Sequence, residues 1–218
     1  MRHSRLSLRA SARALFFPLV ALAALSYGTA ALAGLSPDSR PDEQSPAQTQ
    51  ADFVRLLPLP ASDVIYNAAD KTLYASVPSS AGASGNSVAP VNPVTGEVGT
   101  PVFVGSEPNR LAMSDDGRTL YVSLDGAFSV RRFDTQTRTA GQQFPLGIEL
   151  IYGLRSLSDL AVAPGDPNVL AIALQRGVAI FENGQQRPAW NNDGLSTSSY
   201  IAFSNSESKL YGGGDGSG

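Results

Sequence analysis

The stretch Asp115-Asp116-Gly117-Arg118-Thr119-Leu120-Tyr121-Val122-Ser123-Leu124 sets two carboxylates and a glycine in front of an alternating apolar segment. Three readings compete for it: a calcium loop, a catalytic pair of acids, or a turn that feeds a strand. What decides is that the phrase recurs, as AADKTLYASV from Ala68, GDPNVLAIAL from Gly165 and SESKLYGGG from Ser206. Ahead of each lies a short apolar segment: VIYN from Val64, LAMS from Leu111, LAVA from Leu160 and IAFS from Ile201. Each phrase carries one anchor leucine, at Leu73, Leu120, Leu170 and Leu210, and these follow the segment starts by 9, 9, 10 and 9 residues. A calcium loop needs alternating oxygen ligands and a later bidentate acid, and neither is present. Asp and Gly are the residues that accept turn dihedrals, so the pair is read as a turn.

The anchors lie 47, 50 and 40 residues apart, a period that marks multi-stranded repeats. Behind each anchor strand comes a second half: NSVAPVNPVTGEVGTPVFVG, FSVRRFDTQTRTAGQQFPLG and GVAIFENGQQRPAW. In each, an apolar strand runs into turn formers: Asn92-Pro93, Asp134-Thr135 or Glu182-Asn183-Gly184. A weaker fourth strand follows in the first two, ending at Val104-Gly105 and Leu146-Gly147. Strand, turn, strand, loop, strand, turn, strand is one four-stranded antiparallel blade. The expected fold is therefore all-β, a β-propeller with about three blades and half of a fourth. The blades are placed at about 60–105, 106–147, 155–190 and 198–218, within a partial propeller spanning 53–218.

Tyr121-Val122-Ser123-Leu124 and the turn Asn92-Pro93-Val94-Thr95-Gly96 carry a family resemblance. Over about residues 60–211 the chain resembles the YVTN-type (WD40/NHL-like) propeller repeats of bacterial secreted and surface proteins. The third unit departs from the pattern, with Ala171-Ile172-Ala173-Leu174 in place of Tyr-Val. Such motifs imply architecture and leave activity open.

The N-terminus reads as an export signal over 1–33: a basic start with Arg2, Arg5, Arg9 and Arg13, the 12-residue apolar run ALFFPLVALAAL, and Ala31-Leu32-Ala33 for cleavage. That run is short for a membrane span of about 20 residues, and no Cys follows Ala33 to carry a lipid anchor. Residues 34–52, rich in Pro, Ser, Gln and Asp, read as a disordered linker. All 19 acidic residues follow residue 33, against 12 basic ones, so the exported part carries −7. That acidity argues against binding nucleic acid, which needs a basic footprint. The expected location is the periplasm, the cell surface or outside the cell, with no stable membrane insertion after cleavage.

The single His is His3 and there is no Cys, so thiolate chemistry, serine triads and imidazole metal sites have no residues to use. Glu107, Asn109 and Asp159 lie near strand starts, where side chains can face a central channel. A solvated loop or a bond to a neighbouring blade is the simpler reading for them. Arg131 and Arg132 are adjacent on a strand and so point to opposite faces, as at a solvated edge or in a blade-to-blade ion pair. Trp190 and Tyr200 flank a polar loop that could grip a ligand or seal blades together. Gly212–Gly218 is glycine-rich but holds a single copy of what calcium repeats need in tandem. No catalytic, cofactor-binding or metal-binding residue is assigned, and no cofactor. The leading expectation is a non-catalytic scaffold for an unknown protein or envelope component. The alternative is a lactonase-like hydrolase with a carboxylate-bound divalent metal. An open arc would expose two blade faces, so the sequence is expected to continue into a ring of six to eight blades, self-association being the other way to cover them.

Overall fold

The computed structural model describes residues 54–149, 153–175, 177–188, 199–206 and 209–214. The segments assigned to the export signal and linker, along with Trp190, lie outside the described residues.

The first blade comprises β1 (Asp63–Asn67), β2 (Thr72–Val77), β3 (Ser87–Val91) and β4 (Val102–Phe103). The second comprises β5 (Pro108–Met113), β6 (Thr119–Leu124), β7 (Ser129–Asp134) and β8 (Thr139–Pro145). A small hairpin follows, β9 (Ile148–Glu149) with β10 (Gly153–Leu154). The third blade comprises β11 (Leu157–Ala163), β12 (Asp166–Leu174), β13 (Val178–Glu182) and β14 (Gln185–Gln186). The fourth begins with β15 (Tyr200–Phe203) and β16 (Leu210–Gly213). Each of the three complete sheets is antiparallel with its strands in chain order. The protein is thus all-β, three four-stranded blades and half of a fourth, as the repeat predicts.

Two elements were not legible. The β9–β10 hairpin has no counterpart between the first and second blades. In the third blade a fourth strand exists where the sequence shows only Gln185-Gln186. It forms because Asn183 and Gly184 both take positive φ, 52° and 78°, the two-residue hairpin turn that matches strand twist. The turn then sets Glu182 opposite Gln185 whatever side chains follow.

The core lies between blades. First strands pack in chain order, β1 on β5, β5 on β11 and β11 on β15. In each, the residue that starts the repeat segment and the one two beyond it face the preceding blade, and the alternate residues face the following one. Leu111, Leu120, Val122 and Phe133 of the second blade thus close on Tyr74, Val88 and Val104 of the first. Leu160, Leu170, Ile172 and Phe181 of the third close on Ala112, Tyr121, Val130 and Phe144 of the second. Ile201 meets Ala171 and Ala173 across the next junction. Rings meet edge to face at Tyr74–Phe133, 6.2 Å apart, and Phe144 lies 5.4 Å from Phe181, the spacings that aromatic quadrupoles favour.

The Leu-Tyr phrase has a second use. The Tyr74 hydroxyl donates to the Asp70 carboxylate at 2.6 Å and reaches Thr135 O of the next blade at 3.3 Å. Tyr121, one repeat on, donates to Pro167 O of the third blade at 2.9 Å. Burial raises the pKa of both phenols, so both remain donors. Ala171 replaces Tyr in the third unit, and there Ala171 and Ala173 leave room for Ile201, Phe203 and Leu210 of the fourth blade to pack.

Candidate functional site

Polar side chains at the strand starts were the first candidates. The position just before each repeat segment holds Asp63, Arg110, Asp159 and Tyr200. Asp63 Oδ2 accepts from Leu111 N at 3.0 Å, and Asp159 Oδ2 accepts from Ile201 N at 2.8 Å. Arg110 Nε donates to Ser158 O at 3.1 Å. Each therefore ties its blade to the first strand of the next. Asn109 Nδ2 donates to Asp125 Oδ2 at 2.6 Å, and the Glu107 carboxylate accepts from the backbone and hydroxyl of Ser79. These three candidates, Glu107, Asn109 and Asp159, are engaged separately and do not converge. Among the described residues no group of three or more His, Cys, Asp or Glu is placed to hold a metal ion.

The DDG stretch is a turn between β5 and β6, and also a latch. Asp116 Oδ1 accepts from Ser114 Oγ at 2.6 Å and Arg118 N at 3.0 Å, which holds its carboxyl below the ordinary 3.8. Asp115 Oδ2 accepts from Gly165 N in the corresponding turn of the third blade at 3.0 Å. Gly117 O accepts from Asn67 Nδ2 at 2.8 Å and Thr135 Oγ1 at 2.6 Å.

Arg131 and Arg132 do point to opposite faces. Arg131 bonds Gly141 O and Gln143 Oε1 on the neighbouring strand. Arg132 reaches the next blade, but its 3.0 Å bond ends on the Asn168 amide oxygen, so it is a charge-assisted hydrogen bond to a neutral acceptor where an ion pair was one expectation. Tyr200 is 53% exposed, its ring lying over Gly213 on the paired strand.

What remains is a cavity of about 250 Å³ at the junction of the second and third blades, lined by Leu124, Asp125, Phe128, Ser129, Leu146, Arg155, Ser156 and Leu157. Leu124, Phe128, Leu146 and Leu157 supply its apolar groups, and Asp125, Arg155 and the two serines supply polar ones. Phe128 is conformationally out of place. It takes φ 46°, ψ 48° directly before β7, in the left-handed region where a bulky side chain is an outlier. The same place before β3 holds Asn86 at φ 58°, and before β13 holds Gly177 at φ 80°. The blade architecture demands this dihedral each time: Asn86 O and Phe128 O accept from Val104 N and Leu146 N at 2.9 and 3.0 Å, fixing the return of the outer strand. Asn and Gly meet the demand at little cost, whereas Phe carries strain of about 1–2 kcal/mol. In the sequence Phe128 reads as part of an apolar strand. Its alignment with Asn86 and Gly177, two residues that tolerate positive φ, was the available signal.

No family model and no curated protein matches the sequence. Solved structures do resemble the fold. Kuenenia stuttgartiensis hydrazine synthase aligns with a TM-score of 0.54 and 20% identity over 71% of this chain and 42% of that one. The β-propeller domain of Cps50 (Swd1) from Myceliophteria thermophila gives 0.54 and 15%, over 71% and 49%. The WD40 repeats of RRP9 give 0.52 and 14%, over 68% and 43%. At these identities the likeness establishes a fold, and the protein is of the β-propeller class. The chain spans less than half the length of each of these structures. Among the described residues no helix is long and apolar enough to cross a membrane.

Proposed function

We propose that this chain is a non-catalytic propeller scaffold, exported to the periplasm or cell surface, that docks an envelope protein through the cavity at the junction of the second and third blades. The strained Phe128 carries the reading. Left-handed backbone at a bulky residue persists where the surroundings or a function require it, and two other blades use residues that avoid the strain. The cavity is smaller than the roughly 300–1,000 Å³ of small-molecule sites, a size that suits one large apolar side chain of a partner, with Asp125, Arg155, Ser129 and Ser156 as the polar groups of its lining. The separate engagement of the acidic residues at the strand starts, as bonds between blades, further supports binding over hydrolysis. The YVTN-type repeat pattern and the basic-apolar N-terminus support the secreted setting.

Export is tested by the intact mass of the native protein. The expected chain starts at Gly34, and a chain still carrying Met1 would remove the secreted setting. Docking is tested by affinity capture from envelope material with wild type and Phe128→Asn as baits. The substitution relieves the backbone strain and forfeits part-buried ring surface, two terms of about 1–2 kcal/mol each and of opposite sign. The variant should therefore unfold within about 1 kcal/mol of wild type while losing the captured partner. Capture that is indifferent to the substitution would place the docking surface elsewhere.

A further inference from the structure

Asn183-Gly184 is the only Asn-Gly pair in the chain, and it forms the turn between β13 and β14. Asn183 is exposed, and among the described residues no hydrogen bond holds its carboxamide. The carboxamides of Asn67, Asn86, Asn92, Asn109 and Asn168 are each held by one. Gly184 brings no Cβ to shield the peptide nitrogen that follows Asn183. The strand beyond the turn is two residues long, Gln185 pairing with Glu182 and Gln186 with Phe181. Short as it is, this hairpin end joins two blades. Gln142 Nε2 of the second blade donates to Asn183 O at 3.3 Å, and a methyl group on Gly184 would meet that nitrogen at 2.7 Å and the Phe144 ring at 3.0 Å. Gln186 Oε1 accepts from Arg155 Nη1 at 2.8 Å, so β14 also braces a side chain that lines the cavity.

We propose that Asn183 is a site of spontaneous covalent modification by its own backbone, and that its conversion to isoaspartate releases β14. The Gly184 nitrogen loses its proton and bonds Asn183 Cγ, the Cγ–Nδ2 bond breaks, and ammonia leaves carrying that proton. Water then opens the cyclic imide, its hydroxyl going to one of the two carbonyl carbons and its proton to the nitrogen. Opening at Cγ leaves Asp. Opening at the main-chain carbon leaves isoaspartate, whose backbone runs through the former side chain. No oxidant or reductant takes part. The attack requires the Gly184 nitrogen to swing out of the left-handed turn toward Cγ, so it occurs when the hairpin end opens, and so short a strand opens at low cost. Isoaspartate lengthens the main chain by one methylene inside a turn whose two residues must match the strand twist, and β14 does not re-form on it. Arg155 then loses its bond to Gln186, and the wall of the cavity loses its brace. The modification does not rest on the docking reading, because Asn183 is not part of the cavity lining.

Timed incubation of the native protein at mildly alkaline pH, where the attacking nitrogen loses its proton more readily, tests the chemistry by peptide mapping. The peptide holding Asn183 should gain the mass difference between a hydroxyl and an amino group and become a substrate for an isoaspartate-specific methyltransferase. It should do so ahead of the peptide holding Asn205, which is exposed as well but precedes a serine. Hydrogen exchange reads the release of β14 through the Arg187 amide, which donates to Ile180 O at 2.8 Å. That amide should be protected in fresh protein and lose its protection in the isoaspartate fraction. Asn183→Gly keeps the freedom for positive φ and removes the carboxamide, so it should neither gain mass nor lose protection over the same incubation. An Asn183 peptide that converts no faster than the Asn205 peptide would overturn the site. Protection of Arg187 that survives in the isoaspartate fraction, or that decays equally in Asn183→Gly, would overturn the release of β14. Neither readout involves a captured partner, so failure here and failure of the docking reading are separate results.

Discussion

Leu120→Ala and Leu170→Ala should each lower the stability of the chain by about 3 kcal/mol, and Leu73→Ala by roughly half of that. All three are the anchor leucine of their repeat, so the chemistry removed is identical. Surroundings differ. Leu120 and Leu170 are 0% and 1% exposed, each clamped between its own sheet and the preceding blade. Leu73 lies on the open side of the first blade beside Tyr66, its pairing partner, and is only partly buried. Removing a clamped leucine forfeits transfer energy and leaves a cavity whose walls are two rigid sheets, whereas solvent and the Tyr66 ring can move into the space left at Leu73. Urea denaturation of the three variants at low protein concentration reads the difference directly. Equal losses at all three positions would mean that the first blade is already covered.

The anchor leucines were legible because burial between sheets imposes a strict demand on side-chain type at a fixed position. The polar links between blades were not, although they are as regular in space. Asp63, Arg110 and Asp159 occupy one repeat position and do one job, and no residue-type pattern unites them. The reason is that each bonds to backbone. A carboxylate satisfies the N–H of Leu111 or Ile201, and a guanidinium satisfies the carbonyl of Ser158 just as well. Since every residue offers both a donor and an acceptor on its main chain, opposite charges become interchangeable and the signal disappears from the sequence. The candidate site was hidden for a related reason. Phe128 continues the apolar run into Ser129-Val130, and only its backbone, aligned with Asn86 and Gly177, sets it apart. The strand at Gln185-Gln186 was missed because the Asn183-Gly184 turn, rather than side-chain pattern, creates it.

Gly117→Ala should cost about 3 kcal/mol and Gly165→Ala about 1 kcal/mol, although both glycines sit in corresponding turns. Their backbones make a similar demand, φ 70° and 80°, so the left-handed penalty for a Cβ is common to both. Nothing lies within 4 Å of a Cβ placed on Gly165, whereas one on Gly117 would run into the side-chain oxygen of Asn67 and come 2.9 Å from Ala69 Cβ. Asn67 is 2% exposed, accepts from Ala69 N at 3.0 Å and donates to Gly117 O at 2.8 Å. Moving it to admit a methyl group breaks that pair of bonds and strands a buried amide, a loss of about 1–3 kcal/mol beyond the strain. The DDG turn thus requires glycine for close approach as well as for dihedral freedom, because the first blade grips the second at this point. A double-mutant cycle isolates that term. In an Asn67→Ala background the amide is already gone and space is open, so Gly117→Ala should fall to the cost seen at Gly165. If it stays near 3 kcal/mol with Asn67 removed, the penalty lies in the turn itself, and the latch between the first two blades contributes nothing to it.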